Sequence, residues 1–125
     1  MRLLIVDDEP SVLAAISAMI KALRPDWHAE YVTDADEALR RLHGQRYDVV
    51  LTDLQMPKLD GISMIQQAKL PFTSVVFLTG YKERYASAAW RLGAFAVLDK
   101  PVHKDLLIKT LEAANVCRGT TLTSP

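Results

Sequence analysis

The sequence predicts an α/β fold: a doubly wound, five-stranded parallel sheet in the order 2-1-3-4-5, flanked by five helices. Three observations predict it. First, short apolar runs rich in β-branched residues recur along the 125 residues, among them Leu3-Leu4-Ile5-Val6, Val49-Val50-Leu51-Thr52 and Val75-Val76-Phe77-Leu78. Continuous apolar runs of this length suit strands buried on both faces, as in parallel sheets. Second, the segments between them carry apolar residues at helical spacing, so strand and helix alternate strictly. Third, four runs end on polar residues: Asp7-Asp8-Glu9, Asp53, Thr79 and Lys100. In an open α/β sheet, ligands bind outside the carboxyl ends of the strands, where these residues fall. Crossovers between parallel strands are right-handed, and five strands favour the order 2-1-3-4-5 among the common doubly wound arrangements.

Taken in order, Leu3–Val6 is the first strand. Pro10 sits in the first turn of a helix, where its missing N–H is tolerated. Val12, Leu13, Ile16, Met19, Ile20 and Leu23 give that helix one buried face, and Arg24-Pro25-Asp26 ends it. His28–Val32 is the second strand. Asp34 and Glu37 have the spacing of a capping box and open a helix carrying Ala38, Leu39 and Leu42, closed by Gly44. Tyr47–Thr52 is the third strand. A loop from Met56 to Gly61 leads to a short helix lined by Ile62, Ile65 and Ala68 and stopped by Pro71. Ser74–Leu78 is the fourth strand. The fourth helix, Glu83–Leu92, turns Tyr85, Ala88, Ala89 and Leu92 inward and has Gly93 as its C-cap. Phe95–Leu98 is the fifth strand, and a last helix from His103 to Val116 buries Leu107, Leu111 and Ala114. One domain, residues 1–117, holds all of this, and the polar, turn-rich residues 118–125 read as a linker or disordered tail.

Composition narrows the function. The 15 basic and 15 acidic residues balance, so there is no strongly basic face of the kind nucleic acid requires. No apolar run is long enough to span a bilayer. Met1-Arg2-Leu3 passes straight into a strand without a signal-peptide pattern. The lone Cys117 precludes an internal disulfide and fits a reducing cytoplasm. A cytoplasmic domain that binds neither membrane nor nucleic acid directly is expected. His28, His43 and His103 have no metal-ligand spacing and read as surface residues. Trp27 reads as packing, whereas Trp90 is either half-buried or part of a contact surface.

The site chemistry follows from strand spacing. In the expected order, the third strand is central, with the first and fourth beside it at about 4.8 Å. Asp7-Asp8 and Thr79 are then each one strand from Asp53. Lys100 follows a strand about 10 Å away and has the reach to return. Three carboxylates drawn together need neutralising, and Lys100 plus a divalent cation would do so. With only hard oxygen ligands present, that cation is Mg²⁺ or Mn²⁺. Asp53 can attack a phosphoryl group to form an acyl phosphate, with Thr79 and Lys100 stabilising the phosphoryl oxygens. The five glycines form no nucleotide-binding loop, so the phosphoryl group comes from another protein or a small donor.

Leu3–Pro10, Asp53–Gly61, Leu78-Thr79-Gly80-Tyr81 and Leu98-Asp99-Lys100-Pro101 together resemble the receiver domains of bacterial two-component response regulators, whose fold is flavodoxin-like. The resemblance implies that Asp53 accepts a phosphoryl group from a phosphohistidine on a sensor histidine kinase. It implies that Asp8, Asp53 and the backbone carbonyl of Gln55 hold Mg²⁺, with Asp7 acting mainly through water, and that Thr79 and Lys100 contact the phosphoryl oxygens. It also implies a loop shaped by Met56-Pro57 and Asp60-Gly61, a cis Lys100–Pro101 bond, and a switching surface on the fourth helix, fifth strand and fifth helix for a partner or a homodimer. Leu78–Ala89 is more weakly similar to receivers that precede AraC-type DNA-binding domains. The resemblance leaves the output domain or effector outside this chain, and transcription regulation is one output it suggests.

Two departures stand out. Val97 occupies the position, three before the lysine, where the family carries Tyr or Phe, and the segment from Asp53 to Thr79 is a few residues short. With Val97 too short to report a change, Phe95, expected on the same side of the strand, or the loop Gly80–Arg84 would carry the switch. Three other readings compete. A haloacid-dehalogenase-like phosphatase needs an Asp-x-Asp motif, which Asp7-Asp8-Glu9 does not supply. A flavodoxin would place a flavin phosphate against two carboxylates. A degenerate receiver serving only as an interaction domain would not require Asp8, Asp53, Thr79 and Lys100 together.

Overall fold

The computed structural model describes residues 1–80 and 82–117, the side chains of residues 82–86 excepted. The elements are β1 (Arg2–Val6), α1 (Pro10–Leu23), β2 (His28–Val32), α2 (Ala35–Gly44), β3 (Val49–Asp53), α3 (Gly61–Ala68), β4 (Ser74–Thr79), α4 (Lys82–Arg91), β5 (Ala96–Asp99) and α5 (Lys104–Cys117). All neighbouring strands are parallel, in the order β2-β1-β3-β4-β5. The expected inward Tyr85 side chain and the tail at 118–125 lie outside the described residues, as do Tyr81 and the side chains of the expected switch loop beyond Gly80.

Alternation along the strands explains the continuous apolar runs. Leu3, Ile5, Val49, Leu51, Val76 and Leu78 pack with Leu13, Ile16 and Ile20 of α1 and Leu107, Leu111 and Ala114 of α5. Leu4, Val6, Val50, Val75 and Phe77 pack on the other face with Ala38 and Leu42 of α2, Met64 and Ile65 of α3 and Ala89 of α4. Each strand therefore feeds two cores, and the polar residues that end the runs emerge together at one edge. Among the described residues no helix is long and apolar enough to cross a membrane.

Several local expectations are corrected. Leu23, in the terminal turn of α1, is 36% exposed rather than part of the buried face. Asp34 precedes α2 but accepts no side-chain cap bond. Glu37 pairs instead with Arg40 and Arg41, one turn further along its own helix, where opposite charges at this spacing attract. The α3 helix ends at Lys69, a left-handed residue at φ 52°, before Pro71 is reached. Gly93 closes the α4 turn at φ 96°, as expected for a C-cap glycine. Phe95 does not share a face with Val97. Phe95 packs on the α1–α5 side and Val97 on the other, because β5 begins only at Ala96 and strand alternation does not extend to the turn before it.

Candidate functional site

Register brings the polar residues together. Val6 pairs with Thr52, so Asp7 and Asp53 leave adjacent strands at the same level. Thr79 pairs with Asp99, which sets Lys100 just beyond the edge, and the Lys100 amide donates to the Thr79 carbonyl at 3.0 Å. The Lys100–Pro101 bond is cis, as the resemblance implies.

The Lys100 ammonium lies 2.8 Å from Asp7 Oδ2, 3.0 Å from Asp53 Oδ2 and 3.1 Å from Glu9 Oε1. The long side chain thus returns across the β4 position to the central strand, as the strand order requires. Asp7 is wholly buried, Asp53 and Thr79 nearly so. The other oxygens of the two aspartates are held by backbone: Asp7 Oδ1 accepts from the Glu9 amide at 2.9 Å, and Asp53 Oδ1 from the Gln55 amide at 3.2 Å. Asp7 Oδ2 is buried and, despite its ion pair with Lys100, accepts no aligned hydrogen bond.

The electrostatics are strongly coupled. Burial pushes the Asp53 carboxyl above its ordinary value, and the nearby Asp7 adds to this. Lys100 and the Gln55 amide pull the other way without cancelling it. Burial would lower Lys100, but its bonds to Asp7 and Asp53 prevail and hold the ammonium firmly protonated. Asp7, Asp8, Glu9 and Asp53 each present a carboxylate oxygen within 4.8 Å of the others. One ammonium does not balance four such groups. An all-oxygen donor set of this kind fits a hard divalent cation.

Two residues of the expected polar patch and loop gain contacts here that their local sequence does not reveal. Glu9 belongs to the polar patch after the first run, but its ion pair with Lys100 spans 91 positions, and only the fold creates it. Gly61 follows Asp60, which caps α3 by accepting from the Ser63 amide at 2.7 Å. A Cβ on Gly61 would stand 2.2 Å from the carbonyl oxygen of Asp53, so the loop after the central strand closes against that residue itself. The remaining residues of interest stand apart from the site. His28 pairs with Glu30, and His43 and His103 are also exposed. Trp27 packs on the α1–α5 core beneath the Arg24 guanidinium. Trp90 is 51% exposed, half in contact with the protein and half open to solvent.

A buried aspartate on the central strand, beside a second buried aspartate and a lysine from the cis-proline loop, on this sheet order, defines a signalling domain of the receiver class. A family model for the response regulator receiver domain matches residues 3–112, and the chain belongs to that family. It is 32% identical over 111 residues to the transcriptional regulatory protein DltR of Streptococcus agalactiae, covering 86% of this chain and 49% of that protein. It is 34% identical over 113 residues to the transcriptional regulatory protein BtsR of Salmonella typhi, covering 88% and 46% respectively. The chain therefore spans about half the length of these curated relatives. Among solved structures, a receiver domain from Clostridium thermocellum superposes with a TM-score of 0.82 at 29% identity, over 92% of this chain and 94% of that one. The receiver domain of the sensor histidine kinase PA1611 from Pseudomonas aeruginosa, with a magnesium ion coordinated in its active-site cleft, gives a TM-score of 0.81 at 25% identity, over 92% and 97%.

Proposed function

We propose that this domain accepts a phosphoryl group on Asp53 from a phosphohistidine of a sensor histidine kinase, in a reaction that requires Mg²⁺ or Mn²⁺. The observation that carries the reading is the Lys100 ammonium held between Asp7 and Asp53 at 2.8 and 3.0 Å. In this reading an Asp53 oxygen attacks phosphorus, the bond from phosphorus to the imidazole nitrogen breaks, and the imidazole leaves with that electron pair. Lys100 exchanges its hold on Asp53 for a phosphoryl oxygen, and the Thr79 hydroxyl contacts another. Asp8, Asp53 and the Gln55 carbonyl would hold the divalent ion, with Asp7 engaged through water. When bound, the ion supplies positive charge to the phosphoryl oxygens as they approach the carboxylates.

The domain acts as a phosphoacceptor that assists its own modification, not as an enzyme turning over a separate substrate. Phosphorylation alters the α4–β5–α5 surface, which a partner, an output domain or a second copy of the chain reads. Exposed Trp90 on α4 and exposed Leu106 and Val116 on α5 supply apolar area on these elements. The domain works in the cytoplasm and contacts neither nucleic acid nor membrane itself. The test is phosphotransfer profiling against a panel of sensor kinases carrying labelled phosphohistidine. Label should pass rapidly to the wild-type chain from a cognate kinase and not to Asp53→Asn. Equal transfer to both would overturn the assignment.

A further inference from the structure

Lys100 carries a third carboxylate that the proposed phosphoryl transfer does not use. Glu9 Oε1 lies 3.1 Å from Lys100 Nζ, on the solvent side of the pair formed with buried Asp7 and Asp53. The Glu9 side chain is 58% exposed, against 17% for Lys100 and none for Asp7. Its backbone is anchored. The Glu9 amide donates to Asp7 Oδ1 at 2.9 Å, and its carbonyl accepts from the amides of Val12 and Leu13 at 3.0 and 3.3 Å. Glu9 occupies the N-cap position of α1, yet its side chain makes no capping bond. The carboxylate is thus held at the mouth of the site without serving the helix.

We propose that Glu9 is a positioning residue that acts through Lys100 and restrains phosphorylation of Asp53. This rests on the phosphoacceptor reading above. For Lys100 to take a phosphoryl oxygen, its ammonium must give up part of its present ion set, and the contact with Glu9 is the exposed member. The Glu9 charge also faces an incoming phosphoryl group, which is itself negative. Both effects oppose the reaction, and both are those of an exposed charge, so they are modest and screened by salt.

The experiment measures the rate at which the full chain gains phosphoryl mass from acetyl phosphate at saturating Mg²⁺, for the wild type and Glu9→Gln. At low salt the variant should react about two- to five-fold faster, the size of one exposed ion pair. The ratio should fall towards one in about 1 M salt, where the Debye length is only about 3 Å. A merely structural role would not give a salt-dependent ratio, and melting curves should shift by no more than the loss of one exposed ion pair, because the Glu9 side chain caps nothing. A wild type that reacts beside a Glu9→Gln variant no faster at low salt overturns the role of Glu9 alone. So does a gain that persists undiminished in high salt. A wild type that gains no phosphoryl mass overturns the phosphoacceptor reading and this inference with it.

Discussion

Replacing Gly61 by alanine sets two effects of opposite sign against each other. Gly61 is the first residue of α3, and by helix propensity alone alanine is the better residue, by up to about 1 kcal/mol in a helix interior. The local packing argues the reverse. The new Cβ would lie 2.2 Å from the Asp53 carbonyl oxygen, 3.2 Å from its carbonyl carbon and 3.3 Å from the Leu54 Cα. All of these are backbone atoms, so no side chain can swing aside. Restoring an ordinary contact means displacing the end of β3 or the start of α3 by about 1 Å, and overpacking of this kind costs about 1–3 kcal/mol. The net expectation is a loss of about 1–2 kcal/mol, seen as a lower urea midpoint at unchanged slope. Because the displaced carbonyl belongs to Asp53, phosphorylation should also slow, since misplacement by about 1 Å can cost up to 10²-fold. Gly44→Ala is the control: a Cβ at the last residue of α2 meets nothing within 4 Å, so stability there should hold or rise. A Gly61→Ala variant as stable as the wild type would refute the reasoning.

Two further predictions concern the charged residues. Glu30 is partly buried, and desolvation would raise its pKa, but the Tyr47 hydroxyl, His28, Arg41 and Arg2 together hold it at about 2 against an ordinary 4.5. A depressed carboxyl contributes stability that is present above pH 4.5 and lost as the pH falls through about 2. Glu30→Gln should therefore lower the unfolding free energy near neutrality by about 1–2 kcal/mol after allowance for screening, seen as a lower urea midpoint, and flatten its decline in acid. An acid limb unchanged from the wild type would show that Glu30 does not carry it. Lys100→Met leaves buried Asp7 facing Asp53 without a cation. Melting in chelator should show a loss of about 1–3 kcal/mol, partly recovered with Mg²⁺, and no loss would mean that Lys100 does not balance these carboxylates.

Much of the fold was legible because burial on both faces leaves a local trace. Continuous runs such as Val75-Val76-Phe77-Leu78 appear wherever a parallel strand feeds two cores, and β1, β2 and β4 lie within one residue of their expected bounds. Strand order then carried Asp7, Asp53, Thr79 and Lys100 to one edge, and side-chain length singled out lysine for the longest reach. What local pattern does not encode is the competition among partners. Glu37 has the spacing to cap α2 but meets two arginines on its own helix. Phe95 has the parity of Val97, yet the strand starts one residue after it. Glu9 stood in the expected polar patch and Gly61 in the expected loop, but their contacts with the Lys100 ammonium and the Asp53 carbonyl arise only in the fold. Met64, fully buried on α3, was likewise hidden in a segment too short to show a clear period.

Phosphorylation of Asp53 is the central claim, and intact-mass measurement after incubation with acetyl phosphate and Mg²⁺ tests it most directly. The wild type should gain the mass of a single phosphoryl group, the gain should vanish in excess chelator, and Asp53→Asn should stay unmodified. An Asp53→Asn variant that gains the same mass at the same rate would contradict the account.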